Sequence, residues 1–215
     1  MPLGSRANSR PSFTELRELS SAIRAIDPKI HIHFDFSRIW EIAIDSGNRF
    51  SWQEELLQYG ELGDSLTVCL SKQLSAPVGG FLVGSKAFME KAKKESKALG
   101  GVMHQTGPLG ASILASLHED FISQIRANNS HCRQFIPMLQ ARIAALNLSL
   151  EIIYSESSMV FVKGSEDEVE KLQCNLDDLK IKGLRLNRNI IRYTFSNLIG
   201  QCEMEILDQK LTKHL

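Results

Sequence analysis

The sequence lacks the features that mark several large classes of protein. Its 215 residues carry no net charge, because 25 Lys and Arg balance 25 Asp and Glu. A chain without excess positive charge lacks the electrostatic footprint of a nucleic-acid-binding protein. No apolar run approaches the length of a membrane-spanning helix. The opening MPLGSRANSRPS has no apolar core of a secretory signal, and residues 1–11 are predicted to form a disordered or linker segment.

Cysteine patterns typical of disulfide frameworks and zinc sites are also missing. The four cysteines form no CxxC pair and no cluster with histidine at zinc spacing; they are Cys69, Cys132, Cys174 and Cys202. We predict reduced thiols that mostly serve packing, a cytoplasmic location and no metal site. The apolar fraction of 43% and the charged fraction of 23% are typical of a folded globular protein.

An α/β pattern occupies the first two thirds of the chain. Apolar residues at positions 13, 16, 19, 23 and 26 make one face of a predicted helix, which ends before Pro28. Predicted strands cover residues 30–36, 65–71 and 81–84. Ser85 is the predicted N-cap of a further helix that stops at Gly100. These elements indicate a large α/β domain over residues 12–146.

The pattern changes near residue 147. Residues 107–146 are predicted to be largely helical, with Pro108 and Pro137 near two helix starts. Beyond them, strands are predicted over 148–154, 158–164 and 190–196, and helices over 165–179 and 203–211. Ser165 and Glu168 have the spacing of a capping box. Residues 147–215 are therefore predicted to form a small C-terminal α+β domain.

Two polar residues at predicted strand ends could carry chemistry. Asp35 lies near the end of one strand and Lys72 directly follows the next. A lysine amine can act as a covalent anchor for a carbonyl cofactor such as pyridoxal 5′-phosphate (PLP), whose pyridine nitrogen works best with a carboxylate partner. On spacing alone, solvated side chains or turn residues are the favoured interpretation, since most strand-end Asp and Lys residues have such roles.

The local sequences carry a more specific signal. Residues 71–79 read SKQLSAPVG and residues 100–107 read GGVMHQTG, while residues 33–43 read HFDFSRIWEIA. These segments resemble the S-K-G-L-x-A-P-V-G, G-G-x-M-R-Q-x-G and H-x-D-G-A-R patterns of the threonine aldolase family, within the β-eliminating lyases of PLP fold type I. The resemblance is continuous from about residue 12 to 118 and fades beyond it. It implies a partial fold-type I large domain followed by the small domain.

The resemblance also implies roles for individual residues. Lys72 would hold PLP through a Schiff base, and Asp35 would pair with the pyridinium nitrogen. Arg38 and Arg192 would bind the substrate carboxylate, for which a guanidinium fork is suited. His104 stands where the family has an arginine that helps to bind the phosphate. Further candidates with no fixed role are Lys97, Ser71 and His33. For His33 a structural role is favoured. Lys97 could equally be one of the charged residues on the solvated face of its helix.

Several positions depart from the family pattern. Phe36 and Ser37 replace a Gly-Ala pair, Gln73 replaces the glycine after the lysine, and Ser196 replaces a histidine. Asp35 and Lys72 lie 37 residues apart, a longer interval than the family pattern, and residues 44–60 are the predicted insert. The family's phosphate turn and its aromatic ring over PLP have no counterpart here. The chain is therefore expected to lack the front part of the fold.

Three functions follow as hypotheses. The first is a PLP-dependent aldehyde-lyase that cleaves a β-hydroxy-α-amino acid such as threonine into glycine and an aldehyde. The second is an inactive remnant that acts, if at all, as a partner or scaffold. The third is another PLP-dependent β-elimination. The family's sites lie between subunits, which implies a homodimer or homotetramer if the fold is complete; neither nucleic acid nor a membrane is expected as a partner.

Overall fold

The computed structural model describes residues 11–45, 51–117, 120–154, 157–195 and 201–212. The chain folds into two compact units, and the division falls between Ile122 and Ser123. None of the helices in the described ranges combines the length and the apolar character needed to cross a membrane. The predicted linker at the N-terminus lies almost entirely outside the described residues.

The first unit contains a three-stranded sheet. Its strands are β1 (His33–Asp35), β2 (Ser65–Cys69) and β3 (Gly80–Gly84), in the order β1-β2-β3. β1 and β2 are parallel, whereas β2 and β3 are antiparallel. The helices of this unit are α1 (Phe13–Ile26), α2 (Ile39–Asp45), α3 (Trp52–Gly60), α4 (Lys86–Ala98) and α5 (Gly107–Ser116).

Three helices of this unit, α1, α3 and α4, begin at side-chain caps. Ser12 and Glu15 form a capping box at α1, and Ser51 and Glu54 form another at α3, each pair satisfying amide donors that the first turn leaves free. Ser85 caps α4 by accepting a hydrogen bond from the amide of Phe88. The predicted helix over residues 13–26 and the predicted cap at Ser85 are confirmed. α3 occupies much of the predicted insert, whose residues 46–50 lie outside the described ranges.

Polar contacts of Asp64 join α1 to the segments that precede β1 and β2. Asp64, directly before β2, forms an ion pair with Arg24 of α1 and accepts a hydrogen bond of 2.7 Å from the amide of Ile32. These contacts, the hydrogen bond from Arg24 first, lower the pKa of the Asp64 carboxyl below its ordinary value. They join the end of α1 to the two strands that follow it in the chain.

The second unit contains a four-stranded antiparallel sheet in the order β4-β5-β7-β6. Its strands are β4 (Glu151–Tyr154), β5 (Met159–Lys163), β6 (Leu184–Asn187) and β7 (Ile190–Thr194). The helices are α6 (Phe121–Ala145), which starts just before the division, α7 (Glu166–Asp178) and α8 (Gln201–Thr212). Val160 and Val162 of β5, Leu172 and Leu176 of α7, and Leu139 of α6 are fully buried in one apolar core.

The structure differs from the sequence predictions in several elements. Pro137 does not start a helix but lies inside α6, where it is exposed. The helix continues because the lost amide bond and the displaced carbonyl are on a surface that water can reach. β6 was not predicted, since LRLN is a short run with charged and polar residues on one side. The domain boundary near residue 147 stays a prediction; it lies close to the end of α6, and the compact units divide near the start of that helix.

Candidate functional site

Asp35 and Lys72 belong to the same end of two adjacent parallel strands. Asp35 is the last residue of β1 and lies opposite Thr67 in the parallel register. β2 ends two residues later at Cys69, and Lys72 follows in the loop beyond it. The carboxyl ends of parallel strands meet at one edge of a sheet, which is where α/β proteins commonly bind ligands. A cavity of about 310 Å3 opens at this end, beside Ser37 and Cys69.

The carboxylate of Asp35 is oriented by the residue two positions later. The backbone amide of Ser37 donates to Oδ1 of Asp35 at 3.0 Å, and the Ser37 hydroxyl donates to the same oxygen at 2.5 Å. A hydrogen bond from the amide of residue i+2 to the side chain of an Asp at position i defines an Asx turn. An Asp with a Ser two residues later is visible in the sequence. The family pattern marks Ser37 only as a departure and does not predict this contact.

The loop that carries Lys72 is fixed from both sides. The amide of Leu70 donates to the carbonyl of Gly79 at 3.1 Å, and the amide of Ala76 donates to the carbonyl of Leu70 at 3.2 Å. Leu70, Leu74 and Ala76 are buried, whereas Lys72 is exposed. Gly79 has a φ of +110° and a Cβ at this position would stand 3.1 Å from Ile113 Cδ1, so glycine is required there. The amine of Lys72 therefore projects from an ordered segment.

Arg38 lies in the turn that leads from β1 into α2. Its side chain is half-buried, and its Nε is a buried donor with no hydrogen-bond partner among the described residues. The backbone carbonyl of Arg38 accepts a hydrogen bond of 3.0 Å from Nε2 of Gln73, which directly follows Lys72. The turn with Arg38 and the loop with Lys72 are thus in contact. A buried guanidinium donor of this kind suits a carboxylate or phosphate oxygen.

The bulky residue beside this turn is accommodated by the core. Phe36 is 1% exposed, stacks on Phe34 at 5.1 Å between ring centroids and meets Tyr59 edge-on at 5.7 Å. Its amide still donates to the carbonyl of Thr67 at 2.8 Å, so the connection of the turn to β2 is kept. The replacement of a small residue at position 36 has therefore been absorbed by packing in the core.

His33 is held by a serine on the neighbouring strand. Its Nδ1 lies 2.8 Å from Oγ of Ser65, and Nε2 of His31 lies 2.8 Å from the same oxygen. His31 also stacks on Phe88 at 5.0 Å between ring centroids. Two imidazoles therefore share one hydroxyl at the amino end of β2. This arrangement supports the structural interpretation of His33, because its Nδ1 is already engaged.

The structure also gives the positions of the remaining predicted residues, which are Ser71, Lys97, His104 and Arg192. Ser71 is exposed, with its Oγ 3.3 Å from Sγ of Cys69. Lys97 is exposed in the last turn of α4, and His104 is exposed in the irregular segment before α5. Arg192 is half-buried on β7 of the second unit, opposite Phe161 of β5. Ser196, the predicted departure after that arginine, lies outside the described residues.

Comparison with known sequences identifies a family. The profile of the family described as Beta-eliminating lyase matches residues 11–163. Low specificity L-threonine aldolase of Saccharomyces cerevisiae is 30% identical over 158 residues, which are 74% of this chain and 37% of that protein. Low-specificity L-threonine aldolase 1 of Arabidopsis thaliana is 31% identical over 173 residues, 79% of this chain and 46% of that protein. The chain thus spans less than half the length of these relatives.

Comparison with solved structures supports the same fold. The structure of Leishmania major threonine aldolase superposes with a TM-score of 0.64 and 14% sequence identity. The match covers 95% of this chain and 57% of that chain. At this identity the likeness concerns the fold alone.

Proposed function

This chain belongs to the β-eliminating lyase family, and from that premise we propose that it is a PLP-dependent aldehyde-lyase of the threonine aldolase type. Its substrate would be a β-hydroxy-α-amino acid such as threonine, and its products glycine and an aldehyde. The observation that supports this proposal best is the parallel register of β1 and β2, because it brings Asp35 and the segment of Lys72 to one end of the sheet.

The residues at this end of the sheet fit PLP. The site offers three groups that PLP and its substrate require. The carboxylate of Asp35 can accept a hydrogen bond from the pyridine nitrogen, the amine of Lys72 can bond to the aldehyde carbon, and the buried Nε of Arg38 can donate to an anionic group. Asp35 would pair with the ring nitrogen, and Lys72 would bind the cofactor covalently. When bound, PLP supplies an electron sink for the negative charge left at Cα as the Cα–Cβ bond breaks.

The side chains of this chain would act on the substrate by charge and orientation. Arg38 would bind the α-carboxylate through its guanidinium, and the family resemblance implies Arg192 as a further carboxylate ligand. Ser37 keeps Oδ1 of Asp35 engaged, so that the carboxylate is held in one orientation. The β-hydroxyl must lose its proton as the aldehyde forms; His33 is a weak candidate for this step because its Nδ1 lies on Ser65. His104 would be a phosphate ligand.

Assembly and location are part of the same proposal. A homodimer or homotetramer would complete the site, as the family resemblance implies. A cytoplasmic location is supported by the free thiols of Cys69, Cys132 and Cys174 in the structure.

One observation favours a second candidate function, that of a partner or scaffold without activity. Phe81 and Val83 of β3 are 43% and 49% exposed on the same face of the sheet, and Leu57 of α3 is 69% exposed. These residues line an apolar cavity of about 580 Å3. An open apolar face of this kind is typical of a surface that another chain covers.

The two candidates are distinguished by covalent binding of PLP. We expect a visible absorbance band when PLP is added to the folded protein, and borohydride should trap the label on the peptide that contains Lys72. Lys72→Ala should abolish the trapped label, whereas Lys86→Ala, at an exposed lysine on α4, should leave it unchanged. A trapped label would be followed by an assay of glycine release from threonine. Absence of label at saturating PLP would contradict the lyase proposal and favour the partner function.

A further inference from the structure

Gln73 is a buried polar residue next to the proposed covalent lysine. It is 3% exposed, although glutamine is usually a surface residue. Its Nε2 donates to the backbone carbonyl of Arg38 at 3.0 Å, across 35 residues of sequence. A buried side-chain amide that spans such a distance in the sequence joins two segments of the fold that local structure does not join.

The two segments are the ones that carry the proposed substrate contacts. Lys72 precedes Gln73 on the loop after β2, and Arg38 itself supplies the accepting carbonyl. The turn is fixed at a second point, where the amide of Phe36 donates to the carbonyl of Thr67 at 2.8 Å. With the hydrogen bond from Gln73, the Arg38 turn is attached both to β2 and to the loop that follows β2. A glycine at position 73 has no side chain and could not make this bond.

We propose that Gln73 is a positioning residue that sets the separation between the loop of Lys72, which would hold the cofactor, and the turn of Arg38, which would bind the carboxylate. An α-amino acid presents its amino group and its carboxylate on one carbon, so both must be met at a fixed separation. Gln73 therefore favours α-amino acids over amines that lack a carboxylate. This inference rests on the proposed function, since it assumes that the amino group binds at the cofactor carbon that Lys72 would hold and that Arg38 binds the carboxylate.

The test compares two ligands of the PLP-loaded protein, glycine and methylamine, by the change in visible absorbance. Gln73→Met keeps the length of the side chain and removes the donor. We expect glycine affinity to fall about five- to tenfold, as for the loss of one buried hydrogen bond, and methylamine affinity to stay the same. Gln53→Met, at an exposed glutamine on α3, is the matched control and should change neither. Equal losses for both ligands, or none, would overturn the proposal.

Gln73→Glu adds a pH-dependent readout. Its ionised carboxylate has no proton to donate and faces the carbonyl oxygen of Arg38, whereas the protonated form can donate. The deficit in glycine affinity relative to the wild-type protein at the same pH should therefore shrink as the pH falls. A deficit that is constant with pH would show that position 73 acts through packing and not through the hydrogen bond.

Hydrogen exchange of the cofactor-free protein separates this inference from the proposed function. We expect Gln73→Met to speed amide exchange both in residues 70–76 and at the start of α2, and Gln53→Met to speed neither. Failure of PLP labelling in the wild-type protein, with the coupled exchange intact, would contradict only the proposed function. Exchange that stays unchanged in Gln73→Met would contradict the positioning role whatever the labelling shows.

Discussion

At the scale of single residues, the site combines predicted chemistry with unpredicted contacts. Asp35 and Lys72 could be located from the sequence because Asp35 lies near the end of one predicted strand and Lys72 directly follows the next. The contacts of Ser37, Phe36 and Gln73 could not, since they depend on which segments meet in three dimensions. Three residues that departed from the family pattern, Ser37, Phe36 and Gln73, are packed or hydrogen-bonded in the structure. A departure in sequence is thus compatible with an ordered site.

Asp64 gives a pH prediction at this scale. Its pKa in the folded protein is lowered, first by the hydrogen bond from Arg24 and next by that from the Ile32 amide. A lowered pKa means that the folded state binds this proton less tightly than the unfolded state. The contribution of Asp64 to stability is therefore complete above its ordinary value of 3.8 and is lost as the pH falls below it.

The matching variant is Asp64→Asn. At pH 7 we expect it to be less stable than the wild-type protein in urea unfolding, because a charged contact becomes a neutral one. As the pH falls below 3.8 the difference should narrow, since the wild-type protein loses the contribution that the variant never had. Asp208→Asn, at an exposed position on α8, is the control. A difference that does not change with pH would contradict the assignment.

At the scale of elements, the sequence predicts the type of a helix or strand and the residue that caps a helix better than it predicts the length of the element. The helices predicted after Ser85 and Ser165 begin where their serines cap them, because capping is a local interaction. The predicted strands at 30–36 and 65–71 are shorter in the structure, since only β1 and β2 residues that face each other can pair. The position of Pro137 inside α6 depends on its exposure to solvent, and the formation of β6 depends on pairing with β7. Neither can be read from a local sequence pattern.

The turn before β3 supports a prediction of its own. Gly79→Ala would place a Cβ on a residue with φ +110° and 3.1 Å from Ile113 Cδ1. We expect the free energy of unfolding to fall by about 1–3 kcal/mol, the usual cost of a strained backbone conformation. Gly110→Ala is the control, because nothing lies within 4 Å of its added Cβ and it occupies a helix interior, where alanine is favoured. Chemical unfolding of both variants measures the difference.

At the scale of the whole molecule, two compact units and an open apolar face are the main features. The second unit has a fully buried core of its own, with side chains from α6, α7 and the strands of its sheet. The sheet of the first unit, by contrast, leaves Phe81 and Val83 about half exposed. Composition and periodicity indicate how many apolar residues a chain has, but not which of them remain uncovered. The change of pattern along the sequence therefore indicates two domains and does not locate this face.

Association through this face is testable. Val83 lies opposite Leu66 and Phe81 opposite Val68 in the antiparallel register, so Val83→Lys would place a charge in the middle of the apolar face. We expect this variant to associate less than the wild-type protein in sedimentation velocity across a range of concentrations. Ala87→Lys, at an exposed position on α4, adds the same charge elsewhere and should not alter association. Equal association of all three proteins would exclude this face as the contact surface.

The hydroxyl shared by His31 and His33 has a consequence for proton counting. A serine hydroxyl carries one proton, so Ser65 can donate to Nε2 of His31 or to Nδ1 of His33, and not to both. The other ring nitrogen must then donate to the serine oxygen. The tautomers of the two rings are therefore linked: when both are neutral, moving the proton on one ring requires the hydroxyl to turn and the second ring to change as well. Three residues on two neighbouring segments thus share two alternative proton arrangements.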